Sequence, residues 1–305
     1  MTSLLAVFLL AVPTAQPTAE QVARALPHVQ RARGVLEREI GRIADPALRK
    51  AVQEQLAWPG LPASAYARRD PQRTEALLRD LGLLAAAVSL PALNDVGSFW
   101  AAPGGVCPDG HHAYPGGLAV HSAANLLHAA GLARAYRELY GVDLRGDWLV
   151  AAAAWHDSAK AMTLRWQDGG DCGREPEVAK TAAHHVLGVA AAIARGLPAP
   201  LIVAIASAHA APTRQNLERL CGWLRAGSVL ATGAPDAVAC PDEQRPPPIE
   251  SYLVHYSDTD YELTAAASSA ALGGGTGWKR FDPLRDSTEL QLLQRRASRA
   301  VEEPR

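Results

Sequence analysis

The chain has 305 residues, 48% hydrophobic and 20% charged, which is long and apolar enough to bury a substantial core. Thirty Lys and Arg against 31 Asp and Glu leave a net charge of −1, so the electrostatic footprint of a dedicated duplex-DNA or polyanion binder is absent. Aromatic residues are only 6% of an Ala/Leu-rich composition, which points to an all-α protein, and four cysteines without a C-x-x-C pair exclude a dense disulfide scaffold or a zinc ribbon.

Leu4 to Val12 is an unbroken apolar run, too short to span a bilayer but of the length of a signal-peptide hydrophobic region. Small residues follow it, so residues 1–20 are expected to be a cleaved leader with a cut near Ala15 or Ala19, making the mature protein exported or periplasmic with no transmembrane helix. No Lys or Arg precedes Arg24, and the alternative is an apolar helix packed on the body of a cytoplasmic protein. Export would suit two disulfides, Cys107–Cys172 and Cys221–Cys240, because three of these cysteines lie in Gly/Pro-containing stretches; free buried thiols are the other reading.

Residues 19–57 carry apolar positions at three- and four-residue steps and read as helix, cut into pieces by Pro27 and Pro46. Asp70-Pro71 is a helix start leading into EALLRDLGLLAAAV. Residues 91–117 hold four prolines and six glycines and predict a long loop, a length usually reserved for function. Helices are expected over 118–139, 145–161, 178–196, 198–211, 214–230 and 249–271, with a break from Gly233 to Pro248. GGGTG at 273–277 reads as a linker. The boundaries that result are a leader at 1–20, a helical extension at 21–105, a catalytic domain at 106–272, and a linker with C-terminal tail at 273–305.

No G-x-S-x-G, H-E-x-x-H or G-x-x-x-x-G-K-[ST] motif occurs. What the chain does carry is a series of His and Asp residues inside apolar helices. His156-Asp157 interrupts LVAAAAWHDSAKAM, where a buried carboxylate costs several kcal/mol unless a cation or strong pairing offsets it. His184, His209 and Asp258 sit in three other apolar stretches. Donors of this kind presented by separate helices to one core are the pattern of a bundle-core metal site.

The order H, HD, H, H, D, with Lys160 in HDSAK, resembles the HD-domain superfamily of metal-dependent phosphohydrolases. HHAYPGGLAVHS at 111–122, HHVLG at 184–188, SAH at 207–209 and LVHYSD at 253–258 resemble the branch that contains HD-domain 3'-to-5' exoribonucleases. The resemblance covers about residues 106–270 and implies an HD-type helical bundle. It implies His121, His156, Asp157 and Asp258 as core metal ligands and His184 and His209 as ligands of a second metal, with Asp157 bridging. Ala208 stands where the branch often has another histidine. His185 and His255 are read as residues behind the ligands, and His128 as packing or surface.

The cofactors implied are divalent metal ions, two if all six positions are used. A metal pair can share and activate a water while clamping a phosphate oxygen. Lys160 would contact substrate phosphate and offset transition-state charge, the alternative being a solvated helix-end lysine. His111 and His112 on the glycine-rich loop would protonate a leaving oxygen or bind phosphate, His112 being preferred because Tyr114-Pro115-Gly116-Gly117 would fold it over the metals. Trp100, Trp155 and Trp166 are candidates for a base-stacking wall or simply core. The expected activity is hydrolysis of a small phosphoester, a phosphomonoester or phosphodiester such as a nucleotide. The competing readings are an HD-fold diiron oxygenase and a non-catalytic metal-binding protein.

Overall fold

Proline and capping chemistry set the first helices of the computed structural model, which describes residues 17–107, 110–167 and 170–258. Thr18 and Gln21 form a reciprocal capping box at the start of α1 (Ala19–Ala25). Pro27 opens α2 (Pro27–Gly41), and Asp45 accepts from the Ala47 and Leu48 N–H groups ahead of Pro46 in α3 (Pro46–Ala57). After the single turn α4 (Tyr66–Arg69), Asp70 caps α5 (Pro71–Asp80).

The helix predicted to run through DLGLLAAAV stops at Asp80. Gly82 takes φ +67 and the Leu83 N–H turns back to the Leu78 carbonyl, so the chain reverses there, and the described residues between 81 and 116 carry no helix.

Next come α6 (Gly117–Tyr140), α7 (Gly146–Trp155) and the single turn α8 (Lys160–Thr163). The helix expected over 145–161 is therefore broken at the His-Asp pair. Between Trp155 and Met162 the hydrogen bonds tighten to i→i+3, and this places His156 and Asp157 at a helix end rather than along its side.

The helix expected from Val178 is a hairpin until Ala182. β1 (Glu177–Val178) pairs antiparallel with β2 (Thr181–Ala182) around Ala179 and Lys180, both at positive φ, without the Gly or Asn that would have marked such a turn. α9 (Ala183–Ala194), α10 (Ala199–Ser207), α11 (Leu217–Thr232) and α12 (Ile249–Ser257) complete the described elements, the last reaching the edge of the described residues. The expected continuation of α12 to residue 271, the linker, the tail and the apolar run at 4–12 lie outside them.

The protein is mostly helical, with two short strands among the described residues. α6 packs on α2, α7 and α12, while α9 packs on α11 and α10. Small residues permit close approach: a Cβ on Gly227 of α11 would stand 2.5 Å from a Val189 methyl of α9. One apolar core joins Leu36 and Ile40 of α2 and Leu56 of α3 to Leu118 and Leu126 of α6, Trp155, Leu187, Leu224 and Leu253. Each such leucine contributes about 1.5–3 kcal/mol by leaving water. A second cluster packs Val22, Leu26 and Val29 against Ala113, Tyr114 and the Cys107–Cys172 disulfide, so the N-terminal helices buttress the glycine-rich loop. Cys221 and Cys240 form the other disulfide.

Candidate metal centre

The center of the site is Asp157, fully buried where α7 ends. Its Oδ2 lies 3.0 Å from His121 Nε2 and 3.6 Å from His156 Nε2, and its Oδ1 lies 3.1 Å from both His184 Nε2 and His209 Nε2. Asp258, at the end of α12, approaches His121 Nε2 at 3.3 Å with one oxygen and His209 Nδ1 at 3.3 Å with the other. The six positions singled out from the sequence thus converge from α6, the α7 terminus, α9, the end of α10 and the end of α12. Lys160 is buried and donates to Asp157 Oδ2 at 2.5 Å and to the Gly104 carbonyl at 2.6 Å. It is not a solvated lysine.

Asp157 Oδ1, His184 Nε2 and His209 Nε2 are buried and make no hydrogen bond, although both nitrogens stand 3.1 Å from that oxygen. Buried nitrogens and carboxylate oxygens gathered this closely call for positive charge that a cation would supply, and imidazole with carboxylate suits a borderline divalent metal. Groupings of three or four donors recur around this point: Asp157 with His184, His185 and His209; His121 with His156 and Asp157; His156 with His209 and Asp258.

The electrostatics of the protein itself point to the same demand for positive charge. Burial favours the neutral form of Asp157, but the Lys160 ammonium, with His156 and His209 beside it, holds its carboxyl well below the usual carboxylate range. Burial favours the neutral form of Asp258 as well, but the hydrogen bond from His209 together with the charges of His121, His209 and His156 depresses it. Burial pushes His156 down to about 4, leaving it a neutral donor. Burial would lower His209 too, yet Asp157 and Asp258 raise it to about 9, so that a proton supplies the missing charge.

Because this value lies above the ordinary 6.5, His209 contributes stability that is full below about pH 6.5 and is lost as pH rises through about 9. Chelator-treated protein should show a urea midpoint that falls over this interval, and His209→Gln should flatten that part of the profile.

The cleft above Asp157 has a volume of about 500 Å³ and is walled by His111, His185, His255, Lys160, Glu175 and the Gly105–Val106 backbone. His111, not His112, faces it. His112 is buried at φ +49 with its Nδ1 3.3 Å from the Tyr114 hydroxyl, and its carbonyl accepts from the Gly104 and Tyr114 N–H groups. A Cβ on Gly117 would lie 1.8 Å from that carbonyl, so the glycines here serve tight backbone packing that turns His112 inward.

None of the three tryptophans lines this cleft. Trp155 is core, donating to the Gly188 carbonyl; Trp166 donates to the Ala101 carbonyl; Trp100 stacks under Arg33. His185 stacks on His209 with ring centroids 3.7 Å apart, and its Nδ1 lies 2.5 Å from the Thr181 hydroxyl oxygen. His255 donates to the Ala208 carbonyl, and His128 to the Ser257 carbonyl beside Asp258.

Comparison with known proteins bears on the chemistry. No family model matches the chain, and no solved structure does. A curated relative, the dihydroneopterin 2',3'-cyclic phosphate phosphodiesterase of Methanocaldococcus jannaschii, is 28% identical over 150 residues, 48% of this chain and 47% of that protein. The chain is similar to a phosphodiesterase. It spans about half the length of that relative.

Two residues of the site have no counterpart in the sequence reading. Asn125 lies four residues after His121 on the same face of α6. Its buried amide nitrogen is 3.1 Å and 3.3 Å from the Nε2 atoms of His121 and His156 and donates to Asp258 at 3.2 Å. The i, i+4 relation to His121 was the available signal. Glu175, in the turn before β1, receives the His184 ring and had no signal, since nothing in GREPEV sets it apart from a solvated acid.

Proposed function

We propose that the protein is a metal-dependent phosphohydrolase that cleaves a small phosphodiester, with His121, His156, Asp157, His184, His209 and Asp258 holding two divalent cations. The observation that carries this is the convergence of four histidines on the buried Asp157 carboxylate, two of them also met by Asp258, beneath a cleft of about 500 Å³, a small-molecule size. The similarity to a curated phosphodiesterase supports the phosphate class. A diester is preferred to a monoester dianion because, among the described residues, the one Lys or Arg on the cleft wall is Lys160, already bonded to Asp157.

When bound, the cations would supply an activated water and draw charge from the phosphate oxygens. The protein's own groups do the rest. Lys160 fixes the rotamer of Asp157, keeps it ionised and, through Gly104, ties the glycine-rich loop to the site. The Nδ1–H of His156 donates to the Ala153 carbonyl, turning its Nε2 lone pair inward. His111 is pushed well below its ordinary value by burial and then by Lys160, so at neutral pH it is a neutral ring on the cleft wall. That suits hydrogen bonding to substrate phosphate better than donating a full proton to the leaving oxygen, which is assigned to solvent. His185 and His255 shape the opposite wall.

The test is a panel of nitrophenyl diesters and monoesters, 2',3'-cyclic nucleotides and short RNA, run on metal-analysed protein. Diester hydrolysis that a chelator abolishes and a divalent cation restores is the expected result. A fully metallated protein that turns over no phosphoester and consumes dioxygen when loaded with ferrous iron would replace this reading with an oxygenase.

We also propose export with loss of the leader, supported by the apolar run at 4–12 and two disulfides. Among the described residues no helix is long and apolar enough to cross a membrane. Mass spectrometry of the mature N-terminus decides this, an intact 1–20 segment counting against it.

A further inference from the structure

Glu175 stands out because both of its carboxylate oxygens are spent on one residue. Oε1 and Oε2 lie 2.8 Å and 2.7 Å from His184 Nδ1, and Oε2 also accepts from the His184 backbone N–H at 3.2 Å. An anionic acceptor at Nδ1 places the ring proton there, and the lone pair is then on Nε2. That Nε2 is 3.1 Å from Asp157 Oδ1, buried and without a hydrogen bond.

Two other ligand histidines have different Nδ1 contacts. His209 Nδ1 lies 3.3 Å from Asp258, itself one of the proposed ligands. His156 is held by a neutral backbone carbonyl at 2.9 Å. Behind His184 stands a full negative charge from outside the proposed ligand set, which orients the ring and adds to the attraction for a cation. Glu175 is held in place by its surroundings. It stands three residues beyond Cys172, whose disulfide to Cys107 fastens this turn to the glycine-rich loop, and Pro176 follows it directly.

We infer that Glu175 is a positioning residue that fixes the tautomer and orientation of His184 and thereby sets the affinity of the cation position formed by Asp157, His184 and His209, leaving the position on the His121 and His156 side unaffected. This rests on the metal reading above. It separates the two positions: in one His156 is held by a backbone carbonyl, in the other His184 is held by a charged side chain on a disulfide-fastened turn.

The experiment is cobalt(II) titration of the full-length, chelator-stripped protein, followed by calorimetry and by the visible absorption of the bound ion. Wild type should show two binding steps. Glu175→Gln, which keeps shape and hydrogen-bonding capacity but removes the charge, should weaken one step by about 10- to 100-fold and leave the other within about twofold. Glu175→Asp should recover part of the loss. His156→Ala should weaken the step that Glu175→Gln spares.

Two wild-type steps with neither changed in Glu175→Gln would overturn the inference while sparing the metal reading. Equal weakening of both steps with a lowered melting temperature would overturn it as well, by making Glu175 merely structural. A single wild-type step would show the His184 position unused, and no step at all would remove the metal reading too. Should Glu175→Gln not fold, nitrogen-15 histidine spectra of the metal-free wild type serve instead: His184 should carry its proton on Nδ1, and a proton on Nε2 would overturn the inference.

Discussion

Replacing Lys160 with Met is expected to destabilise the metal-free protein by about 3–5 kcal/mol, the cost of leaving a buried carboxylate without its partner. For a chain of this size the melting temperature should fall by roughly 6–20 °C. The size of the effect follows from burial: Lys160 and Asp157 are both inaccessible, the ammonium lies 2.5 Å from the carboxylate, and its remaining bond goes to the Gly104 carbonyl. Cations at the neighbouring donors would neutralise the same carboxylate, so added manganese should recover much of the lost stability in Lys160→Met while raising wild type less. Thermal unfolding with and without chelator makes the comparison. An equal deficit in both conditions would mean that the lysine acts by packing and not by charge. Diester hydrolysis should fall by about 10²-fold, since Asp157 loses its fixed orientation.

The second large effect is expected at Asp157 itself. Because its two oxygens face different histidine pairs, Asp157→Asn should empty both cation positions, whereas His184→Ala should empty one. Metal analysis after dialysis reads this directly, and hydrolysis should drop by at least about 10³-fold, as when the principal electrostatic element of an active site is removed. Retention of one equivalent by Asp157→Asn would show that the carboxylate does not serve both positions. Asparagine also leaves the Lys160 ammonium buried without its anion, so this variant should melt low whether or not metal is added, unlike Lys160→Met.

Much of this architecture is written in local sequence. Pro27, Pro46 and Asp70-Pro71 open helices because proline tolerates the first helical turn, with Asp45 and Asp70 satisfying exposed N–H groups at two of them, and the structure begins α2, α3 and α5 at those prolines. The ligand series was legible because imidazole and carboxylate are conspicuous in alanine-rich helices. Less legible were features fixed by non-local packing. The hairpin at 177–182 turns through Ala179 and Lys180 in the left-handed region, a conformation their identities disfavour and their surroundings impose. The choice between His111 and His112 hinged on one backbone angle, set by the approach of Gly104 and Gly117. Glu175 depends on a turn that folding brings to α9 from nine residues upstream, and no periodicity announces it.

The apolar core that runs unbroken from α2 through α12 has a practical bearing on how this enzyme candidate can be divided. The ligands all lie beyond residue 120, which invites excision of the region from 106 onward as a minimal catalyst. Such a fragment would lay bare the faces of α6 and α7 that Leu36, Ile40 and Leu56 cover, along with the side of the glycine-rich loop that Val22 and Leu26 support. The stretch that carries the chemistry is therefore shorter than the stretch that must fold with it, and the helices from Val22 to Leu56 act as part of the site's foundation rather than as an appendage to it.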